Sequence, residues 1–168
     1  DMHAARLVSA LQARRPDLSF WGVGGDELQA RGVELRQHVR DMSVMGISEV
    51  LRRFGFFRRV FHELLSEAKK TRPDAVILVD YPGFNLRFAR AAHEAGLRVI
   101  YYISPKVWAW RRGRIPKMAR WIDRLLVIFP FEVDLFRAAG MRVDFVGHPL
   151  VPTLRRLKEQ PEADLSWP

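Results

Sequence analysis

The spacing of apolar positions changes repeatedly along the chain, and each change marks an element. Residues 2–15 place Ala5, Leu7, Val8 and Leu11 at helical intervals, and Pro16 ends the run. The apolar run in SFWGVGG closes on glycines and reads as a strand followed by a turn. DELQARG has the pattern of a short helix stopped at Gly32, and VELR that of a minor strand. From Ile47 to Lys70 the spacing is helical and strongly basic, and Gly55 is expected to break it in two. Ala75 to Val79 is a buried strand, and residues 84–95 make a helix that Gly96 ends. RVIYYI and RLLVIF are further buried strands, with the short helix RIPKMARWID between them. PFEVDLFRAAG is a helix with Pro130 near its start and Gly140 past its end, and RVDFVG is the last strand.

Strand and helix thus alternate four times with short connections. That alternation predicts an α/β, Rossmann-like domain: a parallel sheet with helices on both faces. At 168 residues the chain suffices for one well-packed domain. Residues 1–150 are assigned to it; the polar, proline-bearing stretch 151–168 reads as a linker or domain exit.

Composition narrows the function classes. The absence of cysteine excludes disulfides, thiolate metal sites and a cysteine nucleophile. The longest apolar stretches, around 99–103 and 125–131, are far shorter than a membrane span. A net charge of +9 points to an anionic partner: nucleic acid, a phosphorylated ligand or an acidic membrane surface. Against nucleic acid, the basic residues fall in separate loops and match no nucleic-acid motif.

The candidate chemistry gathers after the strands, and in open α/β sheets ligands bind outside the carboxyl strand ends. Asp80 closes the strand in AVILVDYPGFNLR, where it either caps the next helix, pairs with an arginine, or serves as a base. In YYISPKVWAWRRGRI, Ser104 and Pro105 form a turn before Trp108 and Trp110, and Arg111, Arg112, Arg114 and Lys117 follow. Indoles there can stack on a sugar or line an acyl groove and the cations can hold a phosphate; otherwise the rings plug the core and the arginines are solvated. His148, just past the last strand, is a ligand, a hinge contact or a structural residue. In RRFGFFRRVF, Phe54, Phe56, Phe57 and Phe61 are too many to turn inward from one helix carrying Arg52, Arg53, Arg58 and Arg59. Phe54, Phe56, Phe57 and Arg58 are therefore expected to touch an anionic membrane, the alternative being an ordinary amphipathic helix. Gly22, Gly24 and Gly25 form G-x-G-G, not a dinucleotide fingerprint, and predict no cofactor.

SVMGISEVL, VDYPGFNLR, YYISPKVWAWRRGRI, FPFE and FVGHPL occur together in this order over residues 1–150, and with them the chain resembles the lipid-A-disaccharide synthases. The resemblance implies the N-terminal, acceptor-binding half of a GT-B glycosyltransferase. It implies inverting transfer of diacylglucosamine from UDP to the 6-hydroxyl of diacylglucosamine 1-phosphate, without a metal or other cofactor. The implied base is Asp80. The implied substrate contacts are Asn85, Ser104, Trp108, Trp110, Arg111, Arg114 and His148, and the implied place is the cytoplasmic face of the inner membrane. Self-association is left open. Tyr81 and Gly83 depart from the family's usual Ala and Asp. The family's opening strand and G-E-x-S-G-D loop are expected to be missing apart from a match to Asp1, as is the UDP-binding domain, so the chain alone is expected to be inactive. The rival readings are another GT-B transferase with a lipid-linked acceptor and a non-catalytic lipid- or membrane-binding module.

Overall fold

The apolar runs assemble into strands of alternating burial, and the fold follows from which of their edges meet. The computed structural model describes residues 1–42, 54–110 and 112–159. The SVMGISEVL motif, Arg52, Arg53, Arg111 and the side chains of Phe54 and Trp110 lie outside the described residues.

The chain opens with α1 (Met2–Arg14), β1 (Trp21–Gly24), α2 (Asp26–Gln29), β2 (Glu34–His38) and a short α3 (Val39–Met42) that the apolar pattern did not announce. There follow α4 (Phe54–Thr71), β3 (Val76–Val79), α5 (Pro82–Glu94), β4 (Val99–Tyr102), α6 (Val107–Trp110) and a single 3₁₀ turn (Arg112–Arg114). The last elements are α7 (Ile115–Trp121), β5 (Arg124–Val127), α8 (Phe131–Arg137), β6 (Val143–Phe145) and α9 (Val151–Glu159). Gly55 lies in the first turn of α4, and the segment before the break expected there falls outside the described residues.

β3, β4, β5 and β6 pair in sequence order, all parallel, while β1 and β2 form a separate parallel pair. The fold is the expected α/β arrangement of parallel strands flanked by helices, and among the described residues its strands fall into two parts, β1 pairing with β2 and β3 with β4. Trp21 and Val23 of β1 still pack against the main core. Successive strand residues face opposite sides, so Val99 and Tyr101 are fully buried between the half-buried Ile100 and Tyr102. Around these strands α4 contributes Val60, Leu64 and Ala68, α5 contributes Leu86, Phe88 and Ala92, and α7 and α8 contribute Met118 and Phe136. A smaller cluster of Ala5, Val8, Leu28 and Val33 holds α1 and α2 together.

Helix ends set where the chain turns back toward the rim. After α5 and α8 the chain adopts φ of 73° at Gly96 and 81° at Gly140, a left-handed backbone that glycine tolerates without steric cost. The amides of Leu97 and Met141 then return to the carbonyls of Ala92 and Phe136, closing both helices and launching β4 and β6.

Candidate functional site

The carboxyl end of β3 is a tightly constrained turn. Asp80 still donates its amide to the Tyr102 carbonyl at 3.0 Å, as a sheet residue would. The backbone then reverses hand, with φ of 48° at Asp80 and 46° at Tyr81. Two consecutive non-glycine residues in this region carry strain that surrounding contacts must offset. Those contacts are present: the Asp80 carbonyl accepts from the Asn85 side-chain amide at 2.7 Å and from the Tyr101 hydroxyl at 2.6 Å. Asn85 also donates to the Val79 carbonyl at 3.2 Å. Burial, followed by the nearby Asp80 charge, pushes the Tyr101 phenol well above its ordinary value, which keeps its proton available for that bond.

The Asp80 carboxylate takes no part in this clamp. It does not cap α5, whose N-cap residue Tyr81 makes no side-chain capping bond, and it forms no ion pair among the described residues. Of the three readings of Asp80, cap and arginine partner are excluded among the described residues. What remains is an exposed carboxylate on a turn fixed entirely through its backbone.

The ends of β4 and β5 are organised by an acid that the motif reading left without a role. Glu132, at the start of α8, is only 1% exposed, and one of its oxygens accepts from the Ser104 hydroxyl at 2.5 Å and the Trp108 indole N–H at 3.0 Å. Its other oxygen accepts the Phe129 amide at 3.2 Å. Ser104 and Trp108 are therefore brought together, the first buried and the second half-buried, by one carboxylate. Trp108 meets Phe131 edge-on at 5.1 Å, Phe131 stacks on Phe129 at 5.7 Å, and Phe129 lies 5.8 Å from the His148 ring. These rings form an aromatic ledge along the rim, with Phe131 54% exposed. The only sequence signal for Glu132 was an acid in FPFE directly after a buried strand.

α1 brings two more groups to the same rim. His3 lies within electrostatic reach of Asp80, Arg6 and His148, and its Nδ1 is buried without a hydrogen-bond partner. Burial first, then the amino terminus and Arg6, lowers its pKa below the ordinary 6.5. Arg6 donates from Nη1 to the Pro149 carbonyl at 2.8 Å, and the charge of Arg6 acts on Tyr102 at the end of β4. The Leu150 amide donates to His148 Nδ1 at 3.3 Å, which leaves that ring's proton on Nε2. Neither His3 nor Arg6 was singled out from the sequence, where both blend into an ordinary helical pattern.

The remaining candidates are placed differently. Arg114 is exposed at the start of α7, and Arg112 donates to the Trp108 carbonyl at 3.1 Å. Of the phenylalanines of α4 expected to be too many to turn inward, the side chain of Phe54 lies outside the described residues. Phe56, Phe57 and Phe61 are half-buried against the main core, Phe57, Phe61, Leu64 and Ala68 forming one stripe, and Phe61 meets Phe84 and Phe88 of α5 edge-on. Arg58 and Arg59 are exposed. A shallow depression of about 330 Å³ lined by Arg90, Glu94, Lys117, Arg120 and Trp121 lies toward the far end of α5 from Asp80. Among the described residues no cluster of three His, Cys, Asp or Glu is arranged to hold a metal ion, and no helix is long and apolar enough to cross a membrane.

Comparison with known proteins bears on this rim. The family model described as lipid-A-disaccharide synthetase matches residues 1–165. A lipid-A-disaccharide synthase of Myxococcus xanthus is 51% identical over 151 residues, covering 90% of this chain and 39% of that protein. Proteins of the same name from Syntrophus aciditrophicus and Geobacter sulfurreducens are 44% and 45% identical, covering 96% and 99% of the chain. The chain spans about two fifths of the length of these relatives.

Proposed function

This chain belongs to the lipid-A-disaccharide synthetase family, and on that premise we propose that it forms the acceptor side of a sugar transferase whose base is Asp80. The observation that supports this most is the Asp80 carboxylate: exposed at the carboxyl end of β3, without a partner among the described residues, on a backbone clamped by Asn85 and Tyr101. A structural acid is ordinarily hydrogen-bonded or paired. One held rigidly and left free is suited to taking a proton from a ligand.

In the proposed reaction the acceptor is a diacylglucosamine 1-phosphate and the donor is a UDP-linked diacylglucosamine. The acceptor's 6-hydroxyl oxygen attacks the anomeric carbon of the donor as Asp80 removes the hydroxyl proton. The bond from that carbon to the UDP oxygen breaks, and its electron pair leaves with UDP, so the anomeric centre inverts. The UDP-sugar would be held by a part of the enzyme beyond the residues described. Asn85 acts as a positioning residue for Asp80, while Ser104 and Trp108, fixed by Glu132, wall the acceptor together with the exposed ring of Phe131. His148 contacts the acceptor from the end of that ledge, and Arg114 extends the wall.

The test is Asp80→Asn in an enzyme that joins this chain to a donor-binding half. Turnover should fall on the order of 10²–10⁴-fold with folding intact, and near-normal turnover removes Asp80 from the role. Attraction of the chain to an anionic membrane is a separate part of the proposal. It rests on the net charge of +9, on the exposed Arg58 and Arg59, and on Phe54, Phe56 and Phe57 beside them in the sequence. Arg58→Glu with Arg59→Glu should reduce sedimentation with phosphatidylglycerol vesicles; unchanged sedimentation rejects this surface.

A further inference from the structure

We propose that Arg6, His3 and His148 form a binding site for a phosphate group at the carboxyl rim, beside Asp80. The Arg6–Pro149 hydrogen bond ties α1, which supplies His3 and Arg6, to the segment after β6 that supplies His148, and Asp80 at the end of β3 acts electrostatically on His3. Arg6 is anchored by one nitrogen on the Pro149 carbonyl, which fixes the guanidinium over the rim and leaves its other N–H groups free to donate. His148 has its Nδ1 occupied by the Leu150 amide, so its Nε2–H is the free donor. His3 carries the one side-chain polar atom among the described residues that is buried with no partner. A buried polar atom without a partner is costly, and a ligand that reaches it removes that cost.

The chemistry of this set selects the ligand. The Arg6 guanidinium supplies positive charge and directional N–H donors, the His148 Nε2–H adds a further donor, and Asp80 is the one acid acting on His3. Phosphate oxygens, which only accept when ionised, match such donors in charge-assisted bonds. The opposing carboxylate places the phosphate on the Arg6 and His148 side of the cluster and keeps it off Asp80. The site deepens the reading of the rim as an acceptor site and rests on that reading only for the sugar attached to the phosphate.

The chain itself contains the controls. Of its five histidines, His3 and His148 lie at the proposed site. His38 is beside Asp26, His62 is on α4 and His93 is in the last turn of α5. Imidazole NMR signals are followed while inorganic phosphate, glucosamine 1-phosphate or glucosamine is added to the full chain. Both phosphates should move His3 and His148 saturably and leave the other three in place, and glucosamine should move none. Tighter binding of glucosamine 1-phosphate assigns a sugar phosphate, and equal affinity assigns free phosphate. Arg6→Gln should weaken binding about tenfold or more, with Arg6→Lys in between. Asp80→Asn should tighten it severalfold by removing the repelling charge. Equal movement of all five histidines overturns the site. So does unchanged affinity in Arg6→Gln while His38, His62 and His93 keep their native signals. Because Asp80→Asn is expected to strengthen phosphate binding yet abolish turnover, failure of the phosphate site and failure of the base give different results.

Discussion

Asp80 and Glu132 stand at the carboxyl ends of neighbouring parts of one sheet and are used in opposite ways. Glu132 is sealed from water, and both its oxygens are occupied by donors from the serine–tryptophan loop and its own turn. Asp80 is exposed, and everything that holds it acts on its backbone carbonyl and amide. One acid fixes structure through its charge. The other is fixed by structure so that its charge stays available. The difference shows that type and position alone do not assign a role to a rim carboxylate; the state of its two oxygens does.

The sharpest way to test this contrast is substitution at both ends. Asp80→Asn should lower turnover on the order of 10²–10⁴-fold while leaving the unfolding midpoint almost unmoved, as shown by kinetics beside a denaturant melt. Glu132→Ala should do the reverse in kind, lowering stability by about 2–4 kcal/mol, because it strands the buried Ser104 hydroxyl and the Trp108 indole N–H and opens a cavity. Equal loss of stability in the two variants breaks the comparison. Asn85→Ala removes two bonds from the Asp80 turn, and turnover should fall about tenfold with Asp80 itself intact. The smallest effect concerns His3. Its pKa is depressed in the fold from the ordinary 6.5, so the unfolded chain takes up the proton first. Stability should be fully present above pH 6.5 and decline as the pH falls below it, and His3→Gln should flatten that decline in a series of melts.

Much of this contrast could be read from the chain only in part. The strand ending on Asp80, the helix after it and the placement on the carboxyl rim follow from an apolar run, a proline and a glycine stop, all local signals. That the Asp80 carboxylate has no partner among the described residues could not be read, since its turn is held instead by Tyr101 and Asn85 reaching its carbonyl from two other elements. Glu132 was visible as a letter in FPFE, but its partners Ser104 and Trp108 lie 28 and 24 residues away and meet it only across two parallel strands. The packing of Phe61 was likewise not legible, because counting rings on one helix does not show that Phe84 and Phe88 of α5 take up one of them. The split of the sheet was equally invisible, because periodicity reports that a strand exists and not which neighbour it chooses.

That split has a practical consequence. β3 and β1 each present one side with backbone amides and carbonyls that no strand among the described residues occupies. Uncovered strand borders of this sort recruit other chains. Those two borders are where a further strand, from elsewhere in the protein or from a second chain, can add in parallel to extend the sheet.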